Sequence, residues 1–264
     1  MSEERMDTVL AHARACIETA MQMRPMFDSK PQTTEKVAAH ALFLRCIDHF
    51  RAAVILGEQG LEVEALSLAR GICETLIVIG ALLKGTLSTV EFESYDRAGK
   101  AKNARAMKEF LEREAGPDVQ KQIGDYVTDH AGKTIQFEQL AKDIDERELY
   151  DGYYRMFSHV ATHASMSAIR KYLDYGEHET TIRYSREKRP DKGVVLVTAS
   201  AFMLTCSAIE RWLGNTTPAI NRAIHERLIV YDSFGPKSAW WNSRLREQLA
   251  DGGDGQGRQD DRPS

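Results

Sequence analysis

Proline is scarce in this chain, with seven residues among 264, and cysteine is scarcer, with four. So few prolines leave long stretches free to continue as uninterrupted helix. Cys16, Cys46, Cys73 and Cys206 stand far apart, with no CxxC pair and no Cys/His spacing that would clasp zinc, so they read as reduced core residues. Neither sign of charge dominates. The 35 basic and 39 acidic residues give a net charge of -4, so no global field draws in a polyanion and any nucleic-acid site has to be local. A Walker-type GxxxxGKS/T, a strand-borne GxGxxG and a GxSxG elbow are also missing, and with them the nucleotide-dependent and hydrolase-fold readings.

The charged amino end, MSEERMDTVLAHARAC, holds no apolar h-region or cleavage site, so no signal peptide is expected and the expected location is cytoplasmic. The stretch from Val63 to Leu83 is apolar on nearly every side but is broken by Glu64, Arg70 and Glu74. Its uninterrupted run, Leu76 to Leu83, falls far short of the roughly 20 residues a bilayer span needs, so a central core helix is expected rather than a membrane segment.

Against these absences stands a hydrophobic content of 42%, enough to fill a core without staples. Apolar residues recur at three- and four-residue spacing over Met6 to Met23, Lys36 to Leu56, Glu62 to Leu83, Glu91 to Leu111, Arg147 to Tyr172 and Val194 to Leu213. The fold expected is all-α, a single bundle of about six main helices. Thr33, Thr34 and Glu35 cap the second, and the short turn Gly57-Glu58-Gln59-Gly60 makes the second and third an antiparallel hairpin. Shorter helices are expected over Asp118 to Thr128, Ile135 to Asp143 and Pro218 to Val230, and a small hairpin arm around Thr180 to Tyr184. The chain divides into an N-terminal helix (1–32) packing on the bundle, the bundle itself (33–232), and an extension (233–264). The end of that extension, from Ala250, has the composition of a disordered tail.

Two polar groupings could carry chemistry. Arg70 and Glu74, four residues apart, share a helix face with Val63, Leu66, Ile77 and Ala81, so they are expected to be withdrawn from bulk water. They read either as a structural ion pair or as the floor of a polar pocket. The second grouping is Tyr153-Tyr154-Arg155-Met156-Phe157-Ser158-His159-Val160-Ala161-Thr162-His163. Projected on a helix, Phe157, Val160 and Ala161 make an apolar face, while Arg155, Ser158, His159, Thr162 and His163 fall opposite, a polar face without Lys or Glu. His159 and His163 have the spacing for one metal, but the sequence HVATH lacks a general-base Glu and a third ligand, so no metal is assigned. Arg155 could hold a phosphate while His163 or His159 moves a proton, which is enough to cleave RNA at its ribose hydroxyl. The alternative leaves both imidazoles as interhelix hydrogen-bonding groups and the chain as a non-catalytic ligand-binding or scaffold protein whose Arg70–Glu74 pair is structural. The basic loop Arg183 to Lys192 reads as a solvated connector, and the helix bearing Arg97, Lys100, Lys102, Arg105 and Lys108 as ordinary surface.

The segments AxxLARGICETL, with Arg70 and Glu74, and YYRMFSHVATHAS, with Tyr154, Arg155, Ser158 and His163, resemble a bacterial family known as domain of unknown function 5677, related to the HEPN-like all-helical proteins. The resemblance runs from about Lys36 to Leu213. It implies that the Arg-x-x-x-Glu helix packs beside the Tyr-Arg-x-x-Ser helix, so that both polar sets meet in one cleft. It also implies RNA as a partner, a toxin–antitoxin or phage-defence setting, and a homodimer. HEPN-like ribonucleases place a His after an Arg and four to six intervening residues. Here His159 follows Arg155 after three and His163 after seven, so the nuclease spacing is not met. The candidates are thus Arg155, Ser158 and His163 for catalysis, with Arg70, Glu74, Tyr154 and His159 for binding. No cofactor and no DNA-binding motif is called for.

Overall fold

The molecule is organised around the hairpin that the Gly57–Gly60 turn creates. The computed structural model describes residues 3–111, 116–130, 132–162, 169, 172–175, 179–182 and 189–234. Helix α2 (Thr34–Glu58) starts at Thr33, whose Oγ1 accepts a hydrogen bond from the Lys36 amide at 3.2 Å. It ends at a turn in which Gly60 takes φ 68°, a left-handed conformation that glycine adopts without strain. Helix α3 (Glu62–Leu83) then runs back along α2. It is buried over most of its circumference because α8 (Lys192–Leu213) covers the side that α2 leaves open. Both α3 and α8 are long and apolar enough to cross a bilayer, and here they form the centre of the core.

Close approach of these helices depends on small residues. A Cβ at Gly80 of α3 would lie 2.6 Å from Trp212 Cη2 and 2.7 Å from Ile144 Cδ1, so the ring of α8 packs directly on the α3 backbone. Phe50 of α2 and Phe202 of α8 stack at 4.4 Å. The four cysteines are free and buried as expected, and burial pushes the thiols of Cys16 and Cys46 up to about 12. They are inert packing groups.

The remaining helices wrap this centre. Helix α1 (Glu3–Met23) packs on α8 and on α9 (Pro218–Phe234), and its apolar residues join the same core cluster. Helix α4 (Thr89–Leu111) pairs with α5 (Pro117–Asp129) and meets the core mainly at its beginning. There the Glu35 carboxylate of α2 accepts from the Thr89 amide and hydroxyl at 3.3 and 3.1 Å. Helix α6 (Phe137–Asp143) leads into α7, which runs from Arg147 to Thr162. Within α7, α-helical turns (Arg147–Leu149, Arg155–Phe157) alternate with π-helical ones (Tyr150–Tyr154, Ser158–Thr162). A two-stranded antiparallel hairpin pairs β1 (Leu173–Tyr175) with β2 (Thr180–Ile182), Leu173 facing Ile182.

The all-α class and five of the six long periodic segments thus match the structure, with nine helices among the described residues. The expected helix from Arg147 to Tyr172 is described as far as Thr162. His163, the positions 183–188 of the basic loop, and the tail lie outside the described residues.

Candidate functional site

The two polar groupings meet where α7 crosses α3. Arg70 Nη2 donates to Glu74 Oε1 at 2.5 Å, one helical turn away, and to the Tyr154 hydroxyl of α7 at 3.3 Å. The guanidinium also lies over the Tyr154 ring, 5.3 Å from its centroid. Both members of the ion pair keep 26% of their side-chain surface exposed, so they are withdrawn only in part. Burial works against the Arg70 charge, but the Tyr154 hydroxyl and the Glu74 carboxylate outweigh it and hold its pKa above the ordinary value. A little further along, Ser67 Oγ donates to the Ala161 carbonyl at 3.1 Å, so the contact between α3 and α7 extends over more than one turn.

Tyr154 in turn stacks on Tyr150 at 4.7 Å, and Tyr150 lies beneath the Arg155 guanidinium at 5.5 Å. The result is a ladder of Arg70, Tyr154, Tyr150 and Arg155, with a cation at each end. Arg155 is therefore not beside Arg70. It faces Asp151 at 3.3 Å and Glu138 at 3.7 Å and is 58% exposed. Ser158 Oγ is buried with no hydrogen-bond partner among the described residues, and His159 is exposed. Of the seven sequence candidates, the structure brings together Arg70, Glu74 and Tyr154. It sets Arg155 at the outer end of the ladder, places Ser158 and His159 on the following turn, and does not describe His163.

The same Glu74 lines a cleft of about 850 Å³ between the α2–α3 hairpin and α4. Its inner wall carries Arg45, Gly71, Glu74 and Thr75. Its outer wall is the α4 face with Phe92, Tyr95, Gly99, Lys102 and Asn103, and Phe137 closes one end. Asp96 pairs with Lys100 at 2.6 Å and Glu93 with Arg97 at 3.9 Å, so those charges largely cancel. Among the described residues Arg45 and Lys102 have no ion-pair partner, and they leave net positive charge beside three aromatic rings.

Arg97, Lys100 and Lys102, expected on the surface, are exposed and also line this cleft. The signal was present in α4: Phe92, Tyr95, Gly99 and Lys102 recur at three- and four-residue spacing, which puts two rings, a gap and a cation on one stripe. Among the described residues no group of three or more His, Cys, Asp or Glu side chains is placed to hold a metal ion.

Fold and site together define an all-helical bundle protein with a partly buried Arg–Glu–Tyr cluster beside an aromatic, cationic cleft. Residues 36–181, more than half of the chain, match the model of a family of unknown function, DUF5677, and the protein belongs to that family. No curated protein and no solved structure matches it.

Proposed function

We propose that this is an RNA-directed protein that binds single-stranded RNA in the cleft between the α2–α3 hairpin and α4. The observation that carries the reading is the lining: Phe92, Tyr95 and Phe137 gathered with two cations, Arg45 and Lys102, that form no ion pair among the described residues. Unpaired bases stack on aromatic side chains, at ~1–3 kcal/mol per base, while cations follow the phosphates. Gly99 supports the same reading, since a Cβ there would meet nothing within 4 Å and the middle of α4 stands back from the opposite wall. The HEPN-like resemblance, with its toxin–antitoxin or phage-defence setting, fits an RNA partner.

Binding is favoured over cleavage because Arg155, the candidate phosphate ligand for catalysis, is already engaged by Asp151 and Glu138. The test is fluorescence anisotropy of a labelled single-stranded RNA titrated with salt. Arg45→Ala and Lys102→Ala should each lower affinity severalfold and reduce the salt slope by about 0.7, the value for one lost phosphate contact on a single strand. Gly99→Leu should abolish binding by filling the cleft while leaving the melting temperature intact, because leucine favours helix over glycine. Binding unaffected by all three substitutions would refute the reading. RNA shortened by the wild type but not by His163→Ala or Arg155→Ala would replace it with the ribonuclease.

A further inference from the structure

Three carboxylates line the cleft, and they differ in how they are held. Asp96 and Glu93 sit on α4, each with a cation one turn away on the same helix, at exposed positions. Glu74 sits on the core helix α3, half-buried. Its Oε1 is fixed by Arg70, which is itself fixed by Tyr154. Glu74 Oε2 makes no hydrogen bond to another side chain among the described residues. An anchored carboxylate with an uncommitted oxygen in a cleft is a poor neighbour for phosphate. It is a good acceptor for N–H groups.

The cleft therefore combines two opposite chemistries, cationic and anionic, with aromatic surface. Arg45 and Lys102 suit the backbone of a nucleotide, the rings suit the flat faces of a base, and Glu74 suits a base edge that donates. The four RNA bases differ at that edge. Adenine and cytosine each set one amino group beside a ring-nitrogen acceptor, which a carboxylate repels. Uracil offers one N–H flanked by two carbonyl oxygens. Guanine alone offers two adjacent donors, N1–H and the 2-amino group, one for Oε2 and one for the lone pair of Oε1 that Arg70 leaves unused.

We infer that the cleft selects guanosine within single-stranded RNA and that Glu74 is the residue that reads it. The inference rests on the RNA reading above and adds base specificity to it. Arg70 and Tyr154 then act as positioning residues: they hold the carboxylate in place from behind and do not touch the base.

The experiment uses the full chain and octamers of uridine carrying guanosine, inosine or adenosine at one central position. Dissociation constants are measured for the wild type and for Glu74→Gln, whose amide oxygen can still accept from Arg70. The wild type should prefer guanosine over adenosine by about tenfold, within the discrimination that one bidentate base contact supplies. Inosine, which lacks the 2-amino group, should fall between them. In Glu74→Gln the guanosine-to-adenosine ratio should drop toward one, with thermal melting followed by circular dichroism verifying that the variant is folded. Equal affinity of the wild type for the three octamers would overturn base selection while leaving RNA binding standing. A guanosine preference that survives in Glu74→Gln would overturn the role of Glu74. Failure of every octamer to bind would remove the RNA reading and this inference with it.

Discussion

Arg70 is the residue on which the contact between α3 and α7 turns. A guanidinium withdrawn from water is tolerated because Glu74 supplies the opposite charge and Tyr154 supplies both a hydroxyl and a ring face. The hydroxyl and the ring can be separated. Tyr154→Phe removes one hydrogen bond to a charged group and should cost about 1–2 kcal/mol. Tyr154→Ala also loses the stack on Tyr150 and should cost about 3 kcal/mol or more. Thermal melting of the two variants measures the difference, and equal losses would mean that the stack contributes nothing.

Arg70 and Glu74 were legible in the sequence as a pair because α3 is regular and the spacing of four determines their shared face. The placement of Arg155 was not legible. A projection at a constant angle per residue puts Arg155, Ser158 and His159 together, but the π-helical turns on either side of Arg155–Phe157 contain more residues per turn and rotate the face. Tyr154 is the residue thereby delivered to Arg70.

At the scale of elements, the packing of α1 against α9 holds a titratable group that the site does not use. His12 of α1 is buried beside Cys16, with Nε2 3.6 Å from Sγ and Nδ1 without a partner. Burial first, and then the Arg227 guanidinium of α9, lower its pKa from 6.5 to about 4. The unfolded chain therefore binds a proton between those two values that the folded chain does not, and stability falls as pH drops through that window. The loss should reach about 2 kcal/mol at pH values near 4, and His12→Gln should remove that part of the pH dependence. Urea midpoints at neutral and acidic pH check it; identical pH profiles for the variant and the wild type would show that His12 is not the group responsible.

The order of the elements and the regular helices were legible from periodicity, since apolar spacing over a dozen or more residues is a strong signal, whereas the π-helical turns of α7 were not. The hairpin of α2 and α3 followed from its glycine-flanked turn. Pairings between distant segments, such as α1 with α9 or α4 with the face of α2 that carries Arg45, leave no local mark and appear only in the folded chain.

For the whole molecule, the arrangement is a packed centre of α2, α3 and α8 with the α4–α5 pair set beside it, attached near Thr89 and leaving a cleft along the face of α4. The ladder from Arg70 to Arg155 lies at one border of that cleft, because the ring of Phe137, one of its lining residues, is centred 6.1 Å from that of Tyr154. The site is thus continuous across α3, α4, α6 and α7. The most direct measurement of this account is photocrosslinking of single-stranded RNA carrying 5-iodouridine to the full-length protein, with the attachment sites read by mass spectrometry. Crosslinks should fall on Phe92, Tyr95 or Phe137 and vanish in Gly99→Leu. Crosslinks confined to other surfaces, such as the basic loop from Arg183 to Lys192, would contradict it.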